Sequence, residues 1–216
     1  MKVAMVDRMG SDLSVVNSAR VSFSKVKTEI DKSDESLIKY LAKHNHWSPF
    51  AHTSVQFRIH APIFIARQLA KHQVGLVWNE VSRRYVSDSP VVWAIKHSDR
   101  SFYWRKASED KKQGSSEEEV PSQSIIRHIY DDACRHSVDA YKQMVKLGVC
   151  PEQARSVLPQ SAYTEWYWTG SVYAFSRVCK LRMADDAQRE TRYIAEQISE
   201  RMKIDFPLSW AALNEG

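Results

Sequence analysis

The sequence has no run of apolar residues long enough to span a bilayer, and its opening, MKVAMVDRMG, lacks the hydrophobic stretch of a secretory signal. A soluble, cytoplasmic protein without a membrane partner is the expectation. Cysteine is scarce. Cys134, Cys150 and Cys179 are odd in number, widely spaced and form no C-x-x-C pair. That pattern argues against a disulfide framework and a cysteine-based structural metal site, and predicts reduced, buried thiols and no metal. Also missing are a zinc finger, an RNP-type aromatic motif and a basic tail. The net charge of +5 and pI near 9.0 suit an anionic partner, with nucleic acid, a phosphorylated small molecule, a folate and a dinucleotide all still open.

What is present is a chain of 216 residues, 43% hydrophobic, able to bury a substantial core. KVAMV (2–6) alternates as a short strand, and Ser11 or Asp12 can cap a helix through Leu13, Val16 and Arg20. Asp34 to Lys43 has helical spacing, with Leu37, Tyr40 and Leu41 expected inward. Pro49 predicts an extended Ser48. Val55, Phe57 and Ile59 alternate with Gln56 and Arg58 as a half-buried strand, after which Pro62 fits the first turn of a helix running to Lys71 and His72. Residues 105–123 carry almost no large apolar side chain and predict a mobile surface insertion. Beyond it, Ile125, Ile129, Ala133, Val138, Tyr141 and Val145 mark a long amphipathic helix ended by Gly148. A short helix from Pro151 to Pro159, a strand at Tyr163 to Thr169, a helix toward Lys180 and a last helix through Ile194 and Met202 complete the order.

The densest stretch is QLAKHQVGLVWNEVSRRY, Gln68 to Tyr85. Gln68, Lys71, His72 and Gly75 fall at i, i+3, i+4 and i+7, which predicts one polar helix face. Asn79, Glu80, Ser82, Arg83, Arg84 and Tyr85 then crowd donors, a carboxylate and an aromatic together around Val81. By residue type alone this is either a solvated helix end with a charged loop or a binding site. The order of residues decides, because the stretch resembles the signature of the flavin-dependent thymidylate synthases, an Arg-His-Arg triplet followed by Asn-Glu-x-Ser-x-Arg-Tyr. Asn79, Glu80, Ser82, Arg84 and Tyr85 match, as does His72, whereas Lys71 and Gln73 replace the flanking arginines and the spacer is one residue longer. Lys keeps the charge without the bidentate fork, and Gln loses it.

Other family patterns match on both sides. His46, Ser48, Pro49, Phe50, His52 and the run APIF fit a His-x-Ser-Pro-Phe-Glu-His segment in which Ala51 replaces Glu. Ala154, Arg155, Leu158 and Pro159 fit Ala-Arg-x-x-Leu-Pro, and Leu181, Arg182, Ala187, Gln188 and Glu190 fit a Leu-Arg and Ala-Gln-x-Glu pair. Arg177 stands in place of an Asn and Asp186 in place of a His.

The resemblance implies an α+β fold with an antiparallel sheet packed by helices, a single domain of residues 1–216, and a homotetramer with shared active sites. It implies reductive methylation of dUMP to dTMP with FAD as cofactor, and NADPH and 5,10-methylenetetrahydrofolate as co-substrates. Arg182 is the implied catalytic residue, with Gln68, Lys71, Glu80, Val81, Ser82, Arg83, Arg84 and Arg155 also holding dUMP. Ser22, His46, Ser48, Lys71, His72, Gln73, Asn79, Glu80 and Arg177 are the implied flavin contacts. A methyl transfer to C5 of uracil needs either a nucleophile at C6 or electrostatic activation of the ring. Cys150 precedes Pro151 and has no base nearby in sequence, which favours the second route. A basic nucleic-acid-binding module and a catalytically inactive flavoprotein are the alternatives.

Overall fold

The computed structural model describes residues 1–86, 88–95, 102–109 and 115–214. In chain order these form β1 (Lys2–Met9), α1 (Asp12–Arg20), α2 (Lys32–Lys43), α3 (Ser48–Ala51), β2 (Ser54–Pro62), α4 (Ile63–Leu69) and β3 (Leu76–Glu80). There follow β4 (Arg105–Ala107), β5 (Ser115–Glu119), α5 (Gln123–Lys146), α6 (Pro151–Ala154), β6 (Tyr163–Gly170), α7 (Val172–Arg182), α8 (Arg189–Asp205) and α9 (Pro207–Asn214). None of the described helices is long and apolar enough to cross a membrane.

The main sheet has the order β1-β2-β6-β3 and is antiparallel throughout, so the fold is α+β with helices laid on a sheet. Alternation explains its two faces. Val55, Phe57 and Ile59 of β2 point inward and are fully buried, and their register partners on β6 are Gly170, Trp168 and Trp166. β3 extends the same rows, since Trp78 pairs with Trp168 and stacks on Trp166 at 4.4 Å between ring centroids. Phe175 of α7 closes over this surface, edge-on to Phe57 at 5.0 Å and to Trp168 at 5.3 Å. The opposite face is polar, where Gln56 donates to Thr169 and Arg58 pairs with Glu165 at 2.6 Å.

Glycine matters at one junction. Gly170 ends β6 opposite Leu76, and a Cβ there would lie 2.4 Å from the Leu76 side chain and 2.8 Å from the Gly75 carbonyl oxygen. Gly75 itself has φ +75° and sits against Ala174 of α7, so the turn before β3 is clamped between β6 and α7.

Several elements depart from the sequence expectation. α4 ends at Leu69, so Gln68, Lys71, His72 and Gly75 do not share a helix face. Instead Lys71 and His72 occupy the turn that the left-handed Gly75 requires. Ser48 is the first residue of α3 rather than extended, because Pro49 sits in a first turn, where a missing N–H costs nothing. α2 begins at Lys32 rather than Asp34, capped by Asp31, and it buries Ile38 and Leu41 while Tyr40, expected inward, stays 53% exposed. Asp12 caps a remote helix, accepting from Leu208 N and Ser209 N at 2.9 Å each at the start of α9. Cys150 is exposed, whereas Cys134 and Cys179 are buried as expected.

Two further differences concern larger segments. Within 105–123 the described residues form the β4–β5 ladder in place of an unpaired loop, while residues 110–114 lie outside the described ones. Apolar content failed as a guide because the anchor is ionic: Arg105 and Glu190 pair at 3.1 Å with side chains only 8% and 6% exposed. On α5 the expected apolar stripe is buried only in part. Tyr141 is 1% exposed, but Ile125 and Ile129 are 61% and 63% exposed.

The Gly170 junction yields a direct test. Gly170→Ala is expected to destabilise the fold by about 1–3 kcal/mol, the cost of overpacking against a backbone carbonyl. Chemical denaturation of the variant measures it, and unchanged stability would contradict the clamp.

Candidate active site

The turn after α4 and the last residue of α7 meet. Arg182 Nε donates to His72 Nε2 at 2.9 Å, and Arg182 Nη2 donates to the Gln68 carbonyl at 3.3 Å. The guanidinium is thus held on two sides, and its Nη1 makes no hydrogen bond among the described residues. His72 can accept only if it is neutral. Burial holds its pKa below the ordinary value of 6.5, and the charges of Arg182 and Arg177 push the same way. Burial also lowers the pKa of Arg182 from its ordinary 12.5, yet guanidinium remains charged at neutral pH.

Behind this pair runs a buried polar chain. Gln68 donates to Gln188 and accepts from Thr191 Oγ1 at 3.2 Å. Gln188 Nε2 donates to Glu190 at 2.9 Å, and Glu190 receives Arg105. The Ala-Gln-x-Glu segment therefore immobilises Gln68 through side chains, and β4 is attached to the site through Arg105. Each side chain makes at least one hydrogen bond, which lets a polar network sit in a low-dielectric interior, although Arg105 Nη1 is buried without a partner among the described residues.

The second half of the signature lies elsewhere. Asn79 and Glu80 belong to the edge strand β3, and Glu80 accepts from Thr164 Oγ1 at 2.7 Å and Trp78 Nε1 at 3.2 Å. Val81 N donates to the Glu165 carbonyl. Ser82 to Tyr85 form a turn in which Ser82 Oγ accepts from Arg84 N, while Arg83 donates to the Asp88 carbonyl. Arg84 and Arg155 converge on one residue: Arg84 Nε pairs with the Glu152 carboxylate at 3.1 Å, and Arg155 Nε donates to the Glu152 carbonyl at 3.2 Å. Both arginines are exposed, so their free N–H groups face solvent. No hydrogen bond or ion pair among the described residues joins this cluster to the one around Arg182.

The flavin candidates also divide. Arg177, on α7, reaches His72 electrostatically and lines an open cleft that His46 also lines. The His46 ring lies 5.9 Å from Tyr40 and 6.3 Å from His44. Ser48 begins α3 at the margin of this region, and Lys71 and Gln73 are exposed in the turn around His72. Ser22 sits exposed in the 3₁₀ turn Val21–Phe23. Sequence reasoning gave no role to Glu152, Trp47, Tyr173 or Lys180. The i, i+4, i+7 spacing of Tyr173, Arg177 and Lys180 on an otherwise buried helix was the available signal.

Cysteine chemistry finds no support at this site. Burial pushes the Cys179 thiol far above its ordinary value, and it donates to the Ala195 carbonyl.

The Arg182–His72 contact predicts a titration. In the folded protein His72 should protonate below 6.5, because burial and two neighbouring cations oppose its charge. Between the folded and unfolded values the unfolded chain holds the extra proton, so the contribution of His72 to stability is intact above that range and declines as pH falls through it. Imidazole NMR shifts measure the midpoint. Arg182→Met should raise it without restoring 6.5, since burial is the larger cause, and a wild-type midpoint at or above 6.5 would refute the neutral acceptor.

Comparison with known proteins bears directly on these clusters. The family model described as "Thymidylate synthase complementing protein" matches residues 4–208, a span containing every candidate residue above. A flavin-dependent thymidylate synthase of Thermus thermophilus is 36% identical over 215 residues, covering 99% of this chain and 75% of that protein. One from Thermosipho africanus is 33% identical, covering 96% and 88%. A crystal structure of the UMP/dUMP methylase PolB from Streptomyces cacaoi bound with 5-Br UMP superimposes with a TM-score of 0.86 at 28% identity, covering 99% of this chain and 93% of that one. The signature, the Arg182–His72 pairing and the sheet order thus occur in a chain that resembles these proteins along nearly its whole length, and the chain belongs to the flavin-dependent thymidylate synthase family.

Proposed function

We propose that the protein converts dUMP to dTMP by FAD-dependent reductive methylation, with 5,10-methylenetetrahydrofolate as carbon donor and NADPH as reductant, and that Arg182 activates the pyrimidine. The observation that carries this reading is the fixed guanidinium, donating to His72 and to the Gln68 carbonyl with Nη1 left over. A positive charge already held in position stabilises the negative charge that develops on a uracil carbonyl or at N3, without reorganisation at the moment of reaction. His72 acts as a neutral prop for Arg182. Gln68, locked by Gln188 and Thr191, orients the base.

The phosphate of dUMP suits the second cluster. Arg84 and Arg155 both bond to Glu152, Arg84 to its carboxylate and Arg155 to its carbonyl, which brings two exposed forked donors to one residue. Glu80, Val81 and Arg83 shape the same loop. Lys71 adds an exposed cation in the turn beside Gln68.

The residues present fit a flavin. His46 and Arg177 line one open cleft, Ser48 begins α3 beside it and His72 feels the charge of Arg177, and Arg177, Lys71, Gln73, Asn79 and Glu80 are exposed polar groups available to its ring edge and phosphates. Ser22 is the outlying member of that set. Bound there, FAD supplies the hydride chemistry that no side chain offers. Arg177 replaces the family's Asn with a cation beside His72, which offsets part of the charge lost at Gln73.

A homotetramer fits the separation of the two clusters, because a second subunit can bring the Arg84–Arg155 pair to the Arg182 of the first. The exposed Ile125 and Ile129, one turn apart on α5, are an apolar surface suited to such packing.

Four outcomes test the reading. FAD bound to the protein should bleach with NADPH without oxygen and regain its colour only when dUMP and the methylene donor are both added; bleaching reversed by neither would sink it. Arg182→Ala should lower kcat by about a hundredfold or more with flavin still bound, while Arg155→Ala should chiefly raise the KM for dUMP. Ile125→Lys combined with Ile129→Lys should shift the sedimentation coefficient to that of a smaller species, and an unchanged coefficient would place the subunit contact elsewhere.

A further inference from the structure

The polar chain behind Arg182 has a direction, and one of its members sets it. Glu190 is buried in the first turn of α8 and paired with Arg105, whose Nη2 reaches the two carboxylate oxygens at 3.1 and 3.3 Å. A carboxylate in an ion pair has no proton to give, so it can only accept. Gln188 must therefore turn its amide nitrogen to Glu190, at 2.9 Å, which leaves its amide oxygen for Gln68. Gln68 in turn gives Nε2 to Gln188 and has Oε1 left for Thr191, whose hydroxyl donates at 3.2 Å. A hydroxyl donates or accepts as its neighbour requires, so Thr191 follows the chain, whereas Glu190 dictates it.

The far end of the chain is the part a ligand can reach. Glu190 and Thr191 are buried, while Gln68 is half-buried beside the Arg182 guanidinium. Arg182 holds the Gln68 main-chain carbonyl, so within this residue only the side-chain amide has a choice of orientation. With one N–H given to Gln188 and one lone pair occupied by Thr191, that amide keeps one N–H and one lone pair in fixed positions. A primary amide free to turn over matches a uracil edge, where the N3–H donor adjoins the O4 acceptor. It matches equally a cytosine edge, where the N3 acceptor adjoins the N4 donor. An amide held in one sense matches only one of them, because the other sets donor against donor and acceptor against acceptor.

We propose that Glu190 is a positioning residue for base specificity: through Gln188 its carboxylate fixes the sense of the Gln68 amide, and the fixed amide admits uracil and rejects cytosine. The inference rests on the reading that Gln68 meets the base of dUMP. Arg105 is part of the device, since its charge keeps Glu190 an acceptor, and it comes from the β4–β5 ladder rather than from any of the sequence motifs.

The test is equilibrium binding of dUMP and of dCMP to the full-length protein with FAD present, by titration calorimetry without turnover. The wild type is expected to bind dUMP tighter by about tenfold or more, the scale set by polar groups left unpaired. Glu190→Gln reverses the chain. Arg105 keeps the new amide oxygen, the new NH2 faces Gln188, and both glutamines turn over, so the dUMP-to-dCMP ratio should fall by about tenfold or more. A purely structural Glu190 would lower stability, or both affinities together, and leave the ratio alone. Glu190→Gln also strips a buried arginine of its counter-charge. Gln188→Leu is therefore the second variant, because it keeps the ion pair and cuts the chain next to Gln68; its ratio should fall by about fivefold. Thr191→Val removes a follower and should leave the ratio within about twofold of the wild type. A wild type that binds both nucleotides equally, or a folded Glu190→Gln or Gln188→Leu variant with the wild-type ratio, overturns the proposal and leaves the synthase reading standing. If the wild type binds neither nucleotide, the dUMP reading falls and the proposal falls with it.

Discussion

The close approach of β6, the turn at Gly75 and the start of α7 is the constraint on which the site depends. Gly170 has no side chain, so the Gly75 carbonyl and the Leu76 side chain can approach closer than a Cβ would allow, and Gly75 in turn adopts a left-handed conformation against Ala174. The turn carrying His72 is thereby pinned to the first turn of α7. Because α7 then runs without interruption to Arg182, the guanidinium at its far end returns to the residues just after α4. A shift of either glycine would move His72 relative to Arg182, and the contact between them is only one hydrogen bond wide.

Electrostatics complete what the backbone begins. An arginine donating to a histidine is favourable only while the imidazole is uncharged, and the same burial that packs the pair keeps it so. Arg177 strengthens the effect from the next turns of α7. The cost of fixing a cation in a half-buried place is offset by the Gln68 carbonyl and by the network of Gln188, Thr191, Glu190 and Arg105 behind it. That network ties the β4–β5 ladder to the centre of the molecule, giving a charged and serine-rich segment a structural role that hydrophobicity could not reveal.

The candidate residues were legible as types and as motifs, and their grouping was not. His72, Arg182 and Gln68 belong to three recognisable patterns, yet nothing in their spacing announces that Arg182 donates to His72 and to the Gln68 carbonyl together. Arg84 and Arg155 were assigned the same ligand by resemblance. Their convergence on Glu152 supplies a physical reason for that shared assignment. The polar stripe expected on one helix dissolved into a turn, since periodicity cannot see that Gly75 takes a positive φ against a neighbour distant in sequence. Ile125 and Ile129 show the converse, a correct amphipathic pattern whose apolar side a single chain does not cover.

By itself the sequence determined the strands β2 and β6, the helices α5, α7 and α8, and the identity of the polar residues that carry the chemistry. Alternation, capping and turn residues act within a few positions, and so are written locally. Only the tertiary structure decided which of those residues meet, which histidine stays neutral, how a segment poor in apolar residues is anchored, and in which direction a chain of amides hydrogen-bonds. Those outcomes follow from burial and from contacts between segments far apart in the chain, and such contacts are set by packing, which has no local signature.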